Sequence, residues 1–200
     1  GTLQFVAGIT ERVLLGPTVL ILGYRGAVQQ AKGWATLDHL SNGRAIMGVG
    51  VGWMQEEFEA IGRPWDNRGA RADETLEVFR ALFSEGLASY EGRWTQFQNI
   101  GFSPKPVDNH IPVWVGGHSQ AAFKRTARFG DAFHSAFAPP ALLAEQWKTV
   151  ESECETIGRD SSELSLTSLF RLNFDGGDLE QGEVGGSNEE VIDQVGQYSD

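Results

Sequence analysis

The sequence predicts an α/β protein built on a parallel sheet. Apolar runs such as "RVLLGPTVLIL" lack the polar alternation of a half-exposed strand and read as strands buried on both faces. The segments between them carry apolar residues at helical spacing. The two kinds of segment alternate along the chain, as they do where helices cover a parallel sheet. A doubly wound sheet and a (β/α)8 TIM barrel both meet this pattern. A complete barrel needs about 250 residues and eight strands, whereas these 200 residues carry five by this reading. If the fold is a barrel, it is therefore expected to be incomplete here, an interior piece of one. Residues 1–200 are read as one domain, because no repeat, low-complexity tract or linker interrupts them.

The elements follow in order. "GTLQFVAGIT" reads as the end of a helix, and "RVLLGPTVLIL" as the first strand. "AVQQAKGWATLDHLS" is a helix with Val28, Ala31, Ala35 and Leu37 or Leu40 near helical spacing, closed by the turn formers of "SNGR". "AIMGVGV" is the second strand, followed by a loop. "RGARADETLEVFRALFSEG" is the strongest helix: Leu76, Phe79, Leu82 and Phe83 share a face, and Gly86 is the expected stop. "YEGRWTQFQNIGFSPKPVDNH" is aromatic and broken by glycine and proline, which suits an inserted hairpin. "IPVWVGG", "DAFHSAF" and "LSLTSLFRLNF" are the remaining strands. Between them lie the helices "SQAAFKRTARFG" and "PALLAEQWKTVESECETIG", the second introduced by Pro139 and Pro140. "DGGDLEQGEVGG" reads as a Gly/acid loop. In "SNEEVIDQVGQYSD", Ser187 and Glu190 form a capping box.

Composition narrows the function. The net charge is -11 and the pI about 4.8, so phosphate-backbone binding to nucleic acid is not expected. No apolar stretch approaches the roughly 20 residues of a membrane span, and no signal peptide is visible. A cytoplasmic location is expected. The chain opens on Gly1 and both ends fall inside apparent helices, so the expectation is a piece of a longer barrel. Two unclosed sheet edges would favour association, as a homodimer. The single cysteine, Cys154, excludes an internal disulfide and reads as a packing residue.

Glycines fall at 48, 50 and 52 in "RAIMGVGVGWMQEEFEAIG". A dinucleotide fingerprint would need its third glycine one residue later, at position 53, where Trp53 stands. Alternate glycines instead strip one line of side chains from a strand, which would admit a flat ring or serve close core packing. In "VWVGGHSQAAF", a strand passes through Gly116, Gly117, His118 and Ser119 into a helix, a turn whose exposed N–H groups suit a phosphate. Many such turns carry two glycines for the turn alone. Trp53 is a candidate to stack on or fence a ring, and His134 a candidate proton relay; either could instead be an ordinary packed side chain. Glu56 and Glu57 are helix-start carboxylates or loop anchors. No metal site, nucleophile elbow or P-loop is present.

Taken together, "TERVLLGPTVLIL", "AKGWATLDHLSNGRAIMGVGVGWMQEEFEAIG", "RGARADETLEVFRALF" and "IPVWVGGHSQAAFKRTARFGDAF" resemble the bacterial-luciferase-like monooxygenase superfamily, most nearly its actinobacterial branch that uses the deazaflavin coenzyme F420. The resemblance implies a TIM barrel with the flavin or deazaflavin across the C-terminal ends of its strands, of which the first two and the last are expected to be absent here. It implies ring contacts at Thr18, Val19 and Ile21, with a non-prolyl cis peptide between Thr18 and Val19 in some members. Gly50, Val51, Gly52 and Trp53 match the next wall, and Gly116, Gly117, His118 and Ser119 the phosphate turn. Arg68 or Arg71 matches a phosphate-contacting arginine, with surface ion pairing as the alternative. The implied activity is hydride transfer between F420 and a small organic substrate. The alternatives are an FMN-dependent monooxygenase served by a flavin reductase, or a non-catalytic flavin-binding homologue. Two positions depart from the pattern: Ala27 replaces a proline, and Trp53 stands where some F420 dehydrogenases carry a carboxylic acid.

Overall fold

A computed structural model describes residues 1–174, 179–180 and 182–198. The chain divides into two compact units, Gly1–Val113 and Trp114–Asp200. The five expected strands all form, and their pairings are parallel within each unit.

In the first unit, α1 (Thr2–Ile9) leads through an irregular segment to β1 (Leu20–Ile21), which pairs in parallel with β2 (Met47–Gly50) through Leu20 with Val49 and Ile21 with Gly50. The long strand expected over "RVLLGPTVLIL" is thus reduced to two residues and an isolated bridge between Leu15 and Ala45. Pro17 has no N–H to donate to a ladder, and Gly16 already lies against the Ile46 carbonyl. The segment is also not buried on both faces, since Val13 and Leu14 are exposed. One guanidinium secures it: Arg44 donates to the carbonyls of Ser41 at 2.7 Å, Thr10 at 2.8 Å and Val13 at 2.7 Å, tying the three backbone segments together.

The helix α2 (Ala27–Ser41) ends where Asn42 turns left-handed. Its buried stripe is Ala27, Ala31, Trp34, Ala35 and Leu37, while Val28 and Leu40 point outward, against expectation. A short helix, α3 (Gln55–Ala60), forms within the connection after β2 and carries Glu56 and Glu57 in its first turn, as their reading as helix-start carboxylates predicts. The next helix, α4 (Arg68–Phe83), buries Leu76, Phe79, Leu82 and Phe83 as their spacing predicts, but stops at Ser84, before Gly86. The aromatic insertion is an antiparallel hairpin, β3 (Ala88–Glu91) with β4 (Gln96–Ile100).

In the second unit, β5 (Val113–Gly116), β6 (Ala132–Ala136) and β7 (Ser165–Leu169) run parallel, with β6 between the others. The helices α5 (Gln120–Phe129) and α6 (Pro140–Ile157) connect them, and α6 begins with Pro140 after the N-cap Pro139. Their core holds Phe123, Phe133, Leu143, Val150 and Cys154. Each such large side chain contributes about 1.5–3 kcal/mol by leaving water. Cys154 is fully buried and burial pushes its thiol pKa up, away from the reactive thiolate, so it packs as expected. The expected last strand splits at Phe170. Its second part, β8 (Arg171–Asn173), pairs with β9 (Glu183–Gly185), which lies inside the segment expected to be a loop. Residues 175–178 and 181 of that loop lie outside the described residues. Ser187 and Glu190 cap α7 (Asn188–Gly196) reciprocally, as the sequence predicts. Among the described residues no helix is long and apolar enough to cross a membrane.

Candidate functional site

In the second unit, β5 delivers the chain into Gly116, Gly117, His118 and Ser119, and α5 starts immediately after. Gly117 has φ +130°, and a Cβ there would lie 3.0 Å from that of Ala122, so the tight entry to the helix needs glycine. The Ser119 hydroxyl caps α5 by accepting from Ala122 N at 3.3 Å. Such a turn gathers N–H groups and the positive end of a helix dipole, which favour an oxyanion.

His118 is exposed, yet one of its nitrogens is engaged from the interior. Gln146, buried on α6, has its Nε2 3.0 Å from His118 Nδ1 and accepts from the Ser135 hydroxyl at 2.8 Å through Oε1. With Oε1 taken by Ser135, Nε2 is the atom that donates to His118, and the imidazole proton goes to Nε2. Sequence reasoning missed Gln146. The signal was available: Leu143, Gln146, Val150 and Cys154 form one buried helical stripe, and a polar residue within such a stripe must have a partner.

His134 is buried on β6. The Thr167 hydroxyl donates to the Phe133 carbonyl at 3.2 Å, so at the 2.8 Å contact between them His134 Nδ1 donates to Thr167 Oγ1. Burial lowers its pKa. It is a packed, hydrogen-bonded histidine.

In the first unit the three alternate glycines do not open a slot. A Cβ on Gly48 would fall 1.9 Å from the Pro17 carbonyl oxygen, and one on Gly50 2.6 Å from Val19 Cγ2. On Gly52 it would meet Phe58 at 2.7 Å and Ile21 at 3.0 Å. The cleared line is filled by the 17–21 segment and by Phe58, so close packing, the alternative to a ring seat, accounts for these glycines. The Thr18–Val19 peptide bond is cis, as the resemblance implies. Val19 and Ile21 are half-buried against the glycines, and Val51 and Gly52 are half-buried beyond them. Trp53 is 80% exposed and is no core residue.

The two arginines are held, but not by ion pairs among the described contacts. Arg68 donates to the Gly52 carbonyl at 3.2 Å and lies 3.6 Å over the Trp65 ring. Arg71 lies 4.4 Å over Trp94. Glu57 anchors the local loop by accepting from the Tyr24 hydroxyl, a hydrogen bond that is the main cause of a Tyr24 pKa raised to about 12; Glu56 stays exposed. The structure thus brings Val19, Ile21, Gly50 and Gly52 together in one unit and Gly116–Ser119 together in the other. Among the described residues no group of His, Cys, Asp and Glu could hold a metal ion.

Parallel strands joined by helices, with a glycine turn between a strand end and a helix, define an α/β protein. Residues 2–176 match the luciferase-like monooxygenase family, and the chain belongs to it. Its fold class is accordingly that of the luciferase-like barrels. An uncharacterized protein of Mycobacterium bovis is 38% identical over 133 residues, 66% of this chain and 47% of that protein. A phthiodiolone/phenolphthiodiolone dimycocerosates ketoreductase of Mycobacterium bovis is 32% identical over 173 residues, 84% of this chain and 45% of the other. The structure of an F420-dependent secondary alcohol dehydrogenase in complex with an F420-acetone adduct superposes with a TM-score of 0.86 at 18% identity, over 98% of this chain and 73% of that one. The chain spans about half the length of the curated relatives it matches.

Proposed function

We propose that the protein is an F420-dependent oxidoreductase that passes a hydride between the deazaflavin and a small organic substrate. The observation that carries this reading is the Gly116–Ser119 turn, glycine-shaped and serine-capped at the start of α5, in a chain of the luciferase-like family. Its N–H groups and the Nε2–H of His118 would hold the cofactor's phosphate. Ring contact is assigned to the Thr18–Val19 segment, Ile21 and the exposed Trp53, with Gly50, Val51 and Gly52 shaping the wall behind them; Arg68 or Arg71 supplies a further anion contact. The ring carries the redox chemistry and the protein supplies placement. The related ketoreductase and the alcohol dehydrogenase neighbour, whose names describe carbonyl–alcohol chemistry, support a carbonyl or alcohol substrate.

An FMN-dependent monooxygenase working with a separate flavin reductase is the second reading, favoured by the family's own description. Fluorescence titration with F420 and FMN separates the two, followed by reaction of each reduced cofactor with and without oxygen. Tight FMN binding without F420 binding overturns the first reading. A homodimer in the cytoplasm is the proposed working form, and sedimentation of the purified chain tests the association.

A further inference from the structure

A cavity of about 120 Å³ lies wholly in the first unit, lined by Arg25, Arg63, Arg71, Glu74, Thr75 and Trp94 among others. In a chain with 27 acidic residues against 16 Lys and Arg, three arginines lining one small cavity are not what composition alone would scatter there. The single carboxylate lining it is already engaged. Glu74 accepts from Arg93 N at 2.8 Å and from Trp94 N at 3.0 Å, so it organises the loop that carries Trp94. Positive charge is left in excess.

Arg71 is the built part of this cavity. Its guanidinium carbon lies over the Trp94 ring, 4.4 Å from the centroid, and its Nε is buried with no hydrogen-bond partner. Folded proteins rarely leave a buried donor unanswered, and here the protein's own groups supply no partner. Arg63, exposed beside it, is steadied by donation from Nε to the Tyr24 carbonyl at 3.3 Å, and Arg25 follows Tyr24 directly in the chain. A stacked guanidinium presents its donors in a fixed fork that matches carboxylate and phosphate oxygens.

We infer that this cavity binds the anionic group, a carboxylate or phosphate, of the small-molecule substrate. The inference rests on the oxidoreductase reading for the word substrate, but not for the anion site itself. A volume of about 120 Å³ admits one such group and excludes a tricyclic ring. With the cofactor's phosphate assigned to the α5 turn and its further anion contact to Arg68, Arg71 is left for the substrate, and an arginine cavity of this size selects acidic substrates over neutral ones.

The test titrates the purified chain with inorganic phosphate and with acetate at constant ionic strength. Tryptophan fluorescence and the thermal midpoint are followed, with Trp94→Phe identifying the reporting ring. A saturable response is expected, weakened at least tenfold in Arg71→Gln and in the double variant Arg25→Gln/Arg63→Gln. The double variant changes exposed side chains, so circular dichroism should match the parent. F420 and FMN are then titrated into it, and their affinities should stay within twofold. No saturable response, or one that the substitutions leave unchanged, overturns the inference. So does a parallel loss of cofactor affinity in the double variant, which would give the cavity to the cofactor. A chain that binds neither cofactor yet keeps an arginine-dependent phosphate response overturns the oxidoreductase reading and leaves the anion site standing.

Discussion

Replacing Gly48 by alanine separates a glycine that makes room for a ligand from one that makes room for the protein itself. The added Cβ would sit 1.9 Å from the Pro17 carbonyl oxygen and 3.1 Å from its carbon, where ordinary contact begins near 3.4 Å. The 17–18 backbone must therefore retreat by about 1.5 Å. Overpacking a core costs about 1–3 kcal/mol. Because backbone rather than a flexible side chain has to move, the loss should lie near the upper end, about 3 kcal/mol. Gly33→Ala is the internal control. It is exposed within α2 and nothing lies within 4 Å of its added Cβ, so the higher helix propensity of alanine should raise stability by roughly 1 kcal/mol. The same chemical change is thus expected to move stability in opposite directions at the two sites. Urea unfolding followed by circular dichroism measures both, with an unchanged m-value licensing the comparison. A Gly48→Ala protein as stable as the parent, but with weakened F420 or FMN binding, would refute the packing assignment and restore the slot.

Three other outcomes are expected. His134 has its pKa lowered by burial, so between its folded value and the unfolded 6.5 the unfolded chain binds more protons. Its contribution to stability is complete above about pH 6.5 and falls away as pH drops through the folded value. His134→Gln should flatten the pH dependence of the urea midpoint below pH 6.5, and an unchanged slope counts against the assignment. Phe133→Ala removes a fully buried ring that packs edge-on to Phe123 at 5.5 Å, and should cost about 3–5 kcal/mol in the same assay; a loss under 1 kcal/mol would contradict the core described. Ser119→Ala deletes the α5 cap, for a loss of about 1 kcal/mol, and should also weaken cofactor binding. Retained affinity would remove the turn from the phosphate site.

The elements that the sequence announced are those whose period is set by burial on one side. Leu76, Phe79, Leu82 and Phe83 had to share a helix face, and they do. Ser187 and Glu190 had to cap reciprocally, because each side chain answers the other's N–H. Where the sequence misled, the cause was tertiary. "RVLLGPTVLIL" has the composition of a buried strand, but Pro17 and the close approach at Gly16 interrupt its ladder, and Val13 and Leu14 stay exposed. Val28 and Leu40 fit a helical period, yet they lie off the buried stripe of α2, on which Ala27 and Trp34 sit instead. The two parts of "LSLTSLFRLNF" on either side of Phe170 read as one continuous strand, and only the partner strand decides that one part belongs beside β6 and the other beside β9.

The candidate site divides along the same line. The Gly116–Ser119 turn was legible because a local cause produces it: a strand end, a positive φ at Gly117 and a hydroxyl cap lie within four consecutive residues. Gly48, Gly50 and Gly52 were legible as missing side chains, but apart from Phe58 what fills the space is about thirty residues distant in Pro17, Val19 and Ile21, which no local pattern reveals. A glycine records that something approaches; it does not record what. The same holds in reverse for Gln146 and Arg71. Each is a polar group in a place that demands a partner, and for Gln146 the fold provides it in Ser135 and His118, whereas the Nε of Arg71 has been left waiting. That difference makes Gln146 part of the scaffold of the turn and makes Arg71 the better place to look for what the protein acts upon.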